Sequence, residues 1–252
     1  MNKIEHFKRH LSERRAVKVI SGIDNFDAEK VCNVVRAAEI GGASAVDICF
    51  DRDIIKMVKD LTHLPVFVSS ISPEELAEAV RLGADAVEIG NFDALYKKGM
   101  RAGAEEVLNI ARETKRLLGD TNAFICVTVP GHIDISEQIS LALKLEEMEI
   151  DLLQTEGAAS NTPSKTGARG LMQLAEVSIS NTIELVRNVS IPVMTASGLT
   201  ASTAAMAFAA GASAIGIGSC VNKLSSVIAM AASVKAVTEA VNRRTEREFA
   251  NA

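Results

Sequence analysis

The chain has 252 residues, close to the size of one (β/α)8 barrel, and 48% of them are hydrophobic but only 4% aromatic, so its core must be built from Ala, Val, Ile and Leu. Its formal net charge of −5 and pI near 5.5 exclude the basic excess of a nucleic-acid surface, and Lys and Arg come in ones and twos with no polybasic patch. No apolar run reaches membrane-spanning length and the charged N-terminus has no signal core, so a soluble protein is expected.

In chain order, Asn2–Glu13 reads as an extra helix that closes the bottom of a barrel. Short apolar runs then recur at Ala16–Ile20, Ala45–Phe50, Pro65–Val68, Ala86–Ile89, Ala123–Val129, Asp151–Thr155, Pro192–Ala196 and Ala214–Ile217. These are eight candidate strands. Helical spacing fills the intervals at Asp27–Ile40, Asp51–Leu61, Pro73–Leu82, Ala104–Leu118, Ser136–Met148, Leu171–Val189, Thr200–Ala210 and Lys223–Val241. Ser72-Pro73-Glu74-Glu75 carries an N-cap, a proline at the first helical position and acidic residues in the first turn. The phrases Gly41-Gly42-Ala43-Ser44-Ala45-Val46, Leu82-Gly83-Ala84-Asp85-Ala86-Val87 and Ala210-Gly211-Ala212-Ser213-Ala214-Ile215 echo one another, a recurring helix–turn–strand unit. Strands alternating with helices predict parallel pairing, and eight units without a break predict a single TIM-barrel domain over residues 1–252.

The segment Gly157–Gly170 is small, polar and Gly-rich and leaves a strand's C-terminal end, so it reads as a mobile lid or a loose surface loop. Its Lys165 and Arg169 would close over an anion or be ordinary surface charge.

A parallel strand covered on both sides should be almost wholly apolar, so charges inside strands need a reason. Lys18, Asp47, Glu88 and Glu156 are such charges, and Gln154 points to the same side as Glu156. Two explanations stand open: a buried ion-pair network joining Lys18 to Asp47 or Glu88, or groups that shift one another's pKa and act as acid and base. A Schiff-base role for Lys18 would need a depressed pKa, which neighbouring carboxylates oppose, so an electrostatic role is favoured. Asp51 and Asp93 suit helix caps as well as a site. His132 is the one histidine that this register places on the active face, where it would move protons near neutrality or sit as a solvated loop residue.

Thr195-Ala196-Ser197-Gly198 and Gly216-Ile217-Gly218-Ser219 each hand a strand over to a helix, seventh and eighth of eight. Exposed N–H groups at such turns form an anion site, and these two are where many (β/α)8 barrels hold a phosphate. Ser197, Gly198, Gly218 and Ser219 are therefore candidate phosphate ligands. The histidines lack zinc spacing, though scattered carboxylates could hold Mg2+ weakly, and no metal site is expected. No Walker A, G-x-S-x-G or dinucleotide fingerprint is present. Cys32, Cys49, Cys126 and Cys220 are widely spaced; Cys49 and Cys126, inside strands, read as buried reduced thiols of an intracellular protein.

Lys18-Val19-Ile20-Ser21-Gly22-Ile23-Asp24-Asn25-Phe26-Asp27, Glu88-Ile89-Gly90-Asn91-Phe92-Asp93, Gln154-Thr155-Glu156-Gly157, Ala196-Ser197-Gly198 and Gly218-Ser219-Cys220-Val221-Asn222 resemble, in order and spacing, the hypothetical chloroplast reading frame family number twenty-three of plastids and cyanobacteria. The resemblance covers nearly the whole chain. It implies an aldolase-type TIM barrel in a chloroplast stroma or cyanobacterial cytoplasm, and it implies no particular reaction. More distantly, the last two strands look like those of thiazole synthase and of sugar-phosphate isomerases and epimerases. Its shared segments include Lys18, Glu88, Asn91, Asp93, Gln154 and Glu156, so Asn91, Asp93 and Gln154 join Lys165 and Arg169 as candidate substrate contacts.

The expected function is a lyase or isomerase acting on a small phosphorylated carbonyl compound or sugar phosphate. Glu88 and Glu156 would be the acid and base, and Lys18 would stabilise developing negative charge. No cofactor is required, although FMN phosphate would fit the same turns, and a non-catalytic ligand-binding barrel is the rival. A homo-oligomer is plausible at this size, with no interface legible.

Overall fold

The computed structural model describes residues 3–96, 98–157 and 164–250, apart from the side chains at 93 and 244–250. Eight parallel strands among these residues close into one barrel in sequence order: β1 (Ala16–Ile20), β2 (Ala45–Cys49), β3 (Val66–Ser70), β4 (Ala86–Ile89), β5 (Phe124–Thr128), β6 (Leu152–Gln154), β7 (Val193–Ala196) and β8 (Ala214–Ile217). The last strand pairs with the first, with Lys18 beside Gly216. The expected (β/α)8 fold with an added N-terminal helix is the observed one.

The helices are α1 (Lys3–Ser12), α2 (Ala28–Ile40), α3 (Arg52–Leu61), α4 (Pro73–Arg81), α5 (Asp93–Tyr96), α6 (Ala104–Leu118), α7 (Ile135–Glu147), α8 (Gly167–Asn188), α9 (Ala204–Ala209), α10 (Ser219–Asn222) and α11 (Val227–Ala250). Caps explain several boundaries. Asp27 accepts from the Lys30 N–H, Asp51 from Asp53 and Ile54, and Ser72 from Glu75. Asp51 thus serves as the cap of α3. Three expectations need correction. The Gly-rich segment after β6 becomes helical at Gly167, ahead of the expected start at Leu171, with Thr166 at the N-cap position. The helix expected at Thr200–Ala210 contracts to α9, behind a turn in which Thr203 donates to the Thr200 carbonyl. The helix expected at Lys223–Val241 runs instead over Val227–Ala250, and a separate short helix, α10, precedes it at Ser219–Asn222.

Alternation along each strand sorts side chains into two cores. Val17, Val19, Val46, Ile48, Val66, Val68, Val87, Ile89, Ile125 and Val127 face the helices. Their neighbours Ala16, Ala45, Phe67, Ala86, Phe124, Leu152, Met194 and Ala214 fill the lower barrel together with Ile4, Phe7 and Leu11 of α1. Phe7, Phe67 and Phe124 meet edge to face, with centroids 5.1 to 5.9 Å apart. Small alanines on β1, β2, β4 and β8 leave room for these three rings. At the same end, His10 Nδ1 lies 2.8 Å from Ser44 Oγ, which also accepts the Val17 N–H. The Ser44 hydroxyl proton is then available to His10 Nδ1. Burial, helped by Arg15, pushes the His10 pKa down to about 4.

Phe7→Ala empties the centre of this plug, and we expect a loss of about 3–5 kcal/mol of stability. The shift of the urea unfolding midpoint measures it; a loss below about 1 kcal/mol would show that α1 is not part of the folded barrel's core.

Candidate functional site

Above the aromatic plug, inward positions change from apolar to ionisable. Lys18, Asp47 and Glu88 are each fully buried. The Lys18 ammonium donates to Glu88 Oε2 in a salt bridge and lies 5.0 Å from the Phe67 ring centroid. Strand register places Ser69, Glu88 and Cys126 on one level. Ser69 Oγ donates to Asp47 Oδ1 at 2.5 Å, and Asn91 Nδ2 donates to Asp47 Oδ2 at 2.9 Å. Gln154 Nε2 lies 2.6 Å from Glu88 Oε1, 3.0 Å from Asn91 Oδ1 and 3.0 Å from Thr128 Oγ1. These five polar residues expected from the sequence, Lys18, Asp47, Glu88, Asn91 and Gln154, form one network.

Its electrostatics follow from desolvation. Burial works against the Lys18 ammonium, but Glu88, Cys126 and Asp47 more than offset it and hold its pKa above the ordinary lysine value. A protonated amine has no lone pair for imine formation, which disfavours the Schiff-base role. Burial first, and the Glu88 charge second, push the Asp47 carboxyl up to about 7 against the pull of Lys18. The Cys126 thiol rises well above its usual range for the same reason, and burial pushes Cys49 up to about 12; both are buried free thiols, as expected. One acceptor stands out: Gln154 Oε1 is buried without a hydrogen-bond partner among the described residues. It lies 3.4 Å from the point that a Cβ on Gly216 would occupy, so the missing side chain leaves it room.

Glu156 and His132 belong to a second group, beyond the ends of β5 and β6. The Tyr96 hydroxyl donates to Glu156 Oε2 and lies 2.8 Å from His132 Nδ1. The Gly131 N–H also donates to Glu156 Oε2 at 3.3 Å. A Cβ on Gly131 would lie 2.4 Å from the Glu156 carbonyl oxygen, so this turn reaches the carboxylate only with glycine there. Burial, with Arg101, lowers the His132 pKa below 6.5. Glu88 and Glu156 are thus held by different partners. Sequence reading missed Tyr96, although a signal existed: it is the chain's single tyrosine. It also missed Thr128, which supplies a hydroxyl to the inner network.

The two late turns differ. Ser197 and Gly198 have φ of 80° and 73°, both left-handed. A Cβ on Gly198 would lie 1.9 Å from the Leu174 carbonyl oxygen, so β7 packs hard onto α8 there. Ser178 Oγ donates to the Ser197 carbonyl at 2.9 Å. Gly218 caps α10 at φ −125°, and Ser219 is exposed at its first position. Asn222 Nδ2 donates to the carbonyls of Ile20 and Ser21, which ties this turn to β1. Lys165 and Arg169 are exposed at the start of α8. The Asp93 side chain and residues 158–163 of the expected lid lie outside the described residues. Among the described residues, no group of three or more His, Cys, Asp or Glu is arranged to hold a metal, and no helix is long and apolar enough to cross a membrane.

Comparison with known proteins places this geometry. Residues 1–247 match the family described as protein of unknown function DUF561, so the chain belongs to that family. The uncharacterized protein ycf23 of Cyanophora paradoxa is 37% identical over 245 residues, covering 97% of this chain and 98% of that protein. Two solved structures share the fold. (S)-3-O-geranylgeranylglyceryl phosphate synthase from Thermoplasma acidophilum, in complex with sn-glycerol-1-phosphate, gives a TM-score of 0.64 at 16% identity, covering 96% of this chain and 99% of that one. 3-Hexulose-6-phosphate synthase from Salmonella typhimurium gives 0.65 at 12% identity, covering 91% and 99%.

The Asp47 carboxyl makes stability depend on pH in a defined sense. Its folded pKa of about 7 exceeds the ordinary value of 3.8, so its contribution is full below about 4 and is lost as pH rises through about 7. Asp47→Asn removes that loss. The variant should gain on the wild type steadily between pH 4 and 7 in denaturant midpoint, then hold a constant gap; a gap that does not change with pH would mean that Asp47 is ionised throughout.

Proposed function

We propose that this DUF561 family member is an enzyme of the lyase or isomerase type, acting at the C-terminal mouth of the barrel on a small phosphorylated carbonyl compound or sugar phosphate. One observation carries the reading. Ionisable groups, rather than the usual branched aliphatics, occupy the upper inward positions of a barrel that is apolar below them. A buried ion pair of this kind gives weak support to stability, since well-packed apolar residues often do as well, so its presence in the barrel favours a role in chemistry. Lys18 supplies a permanent positive charge for an enolate or similar anion, and Asp47 is a carboxyl poised to exchange a proton near neutrality.

The phosphate belongs at the Ser197-Gly198 and Gly218-Ser219 turns, seventh and eighth around the barrel. The phosphorylated compounds named for the structural neighbours support the substrate class by analogy of fold, which alone does not fix an activity. Asn91 and Gln154 then serve chiefly as positioning groups, because their amides are engaged within the network, while Gln154 Oε1 remains to accept from a ligand hydroxyl. Lys165 and Arg169, exposed beside the start of α8, would approach an anion at the mouth. The plastid or cyanobacterial setting fits a role in small-molecule metabolism.

A second reading has its own observation. Lys18, Asp47 and Glu88 are fully buried and bonded to one another or to nearby amides and hydroxyls, as in a barrel that binds a ligand without transforming it.

The test is thermal unfolding and turnover with a panel of sugar phosphates beside the same sugars without phosphate. Phosphorylated compounds should raise the melting temperature while their parents do not. Ser219→Asp, a change at an exposed position that should leave stability within about 0.5 kcal/mol, should weaken that binding at least about tenfold by like-charge repulsion. Equal response to both sets, or no effect of the aspartate, would refute a phosphate site at these turns. Binding without turnover of any compound would favour the non-catalytic barrel, and purified protein that is yellow would favour FMN.

A further inference from the structure

We infer that a second proton-transfer atom of the site, besides the Asp47 carboxyl, is His132 Nε2, set in its working tautomer by a relay through the Tyr96 phenol to the Glu156 carboxylate. This inference rests on the reading above, that the mouth of the barrel takes a phosphorylated carbonyl compound.

The argument is one of hydrogen-bond direction. Glu156 Oε2 accepts from both the Tyr96 hydroxyl and the Gly131 N–H, so it acts as an acceptor. The phenol has one proton and spends it on Glu156. Its oxygen, 2.8 Å from His132 Nδ1, can then only accept, which requires the proton of the neutral imidazole to sit on Nδ1. Nε2 is left with a lone pair. Tyr96 and Glu156 are both buried while His132 is half-buried, so the inner members are shielded and the imidazole is the member at the mouth. The rings of Tyr96 and His132 meet edge to face at 4.9 Å, which fixes the imidazole plane.

Charge completes the picture. The Arg101 guanidinium lies 5.4 Å from the Tyr96 ring centroid, and no carboxylate among the described residues pairs with it. It favours a neutral imidazole before reaction and an anion beside it afterwards.

The chemistry that this suits is proton abstraction next to a carbonyl. Nε2 takes the proton from the carbon, the C–H electron pair forms the carbon–carbon double bond, and the carbonyl π pair moves onto oxygen to give an enolate. The imidazolium keeps its Nδ1–H bond to the phenol, and Glu156 balances its charge through Tyr96. Return of the proton from the imidazolium to the adjacent carbon, with the matching hydroxyl proton shift, yields the isomer. No oxidant or second substrate is needed. Tyr96 and Glu156 are positioning residues, and of these three His132 alone meets the substrate.

Two measurements on the full chain test this. Nitrogen-15 NMR of histidine-labelled protein should show His132 as the Nδ1–H tautomer near pH 7, moving toward Nε2–H in Tyr96→Phe. Exchange of solvent deuterium into the carbon next to the carbonyl of dihydroxyacetone phosphate, ribulose 5-phosphate or fructose 6-phosphate should fall about 100-fold in His132→Gln and about tenfold in Tyr96→Phe, with binding retained. A wild-type His132 in the Nε2–H form, or a His132→Gln variant that exchanges at the wild-type rate, overturns the relay. Wild-type protein that binds these compounds but exchanges no carbon-bound hydrogen also overturns it, and leaves the phosphate-binding reading standing. Protein that binds none of them overturns both.

Discussion

A fully buried ammonium, Lys18, faces two fully buried carboxylates, Asp47 and Glu88, and that imbalance dictates what their neighbours must do. One cation cannot compensate two anions in a dry interior, so Asp47 moves toward the protonated form and Ser69 and Asn91 are recruited to it. Glu88 holds the direct salt bridge and still needs Gln154 on its second oxygen. The strand register serves this arrangement, since a shift of one residue on β1, β2 or β4 would turn its charge out among the aliphatic helix-facing residues. The aromatic plug serves it too, closing the side away from the mouth with apolar surface and offering the Phe67 ring to the ammonium.

The barrel and its charged interior were legible in the sequence for a simple reason. Val-Lys-Val, Val-Asp-Ile and Val-Glu-Ile each interrupt an apolar strand with an ion at an inward position, and period-2 geometry allows no other place for it. Helix starts were legible where a side chain caps them, as at Asp27, Asp51 and Ser72. They were not where the chain caps with Thr166 or Thr203 and no side-chain hydrogen bond, and there α8 and α9 departed from expectation. Which ion pairs with which was also beyond sequence reading: Lys18 sits 70 positions from Glu88 and only barrel closure brings them together.

Tyr96 shows a different limit. It lies on α5, four residues long and too short to carry a helical period, so nothing in its local pattern announces a site. Its importance comes from contacts with Glu156 and His132, 60 and 36 positions away. Glu156 and His132 were each visible as polar residues at strand ends, yet the sequence paired Glu156 with Glu88. The folded chain gives each carboxylate a different kind of partner: an ammonium for Glu88, a phenol for Glu156.

The three-ring plug at the foot of the barrel has a consequence for traffic. With Phe7, Phe67 and Phe124 packed against one another and against the small residues around them, the interior is a blind-ended vessel rather than a tube. Whatever enters past the loops must leave past the same loops. For any ligand of this barrel, arrival and departure would therefore share one doorway.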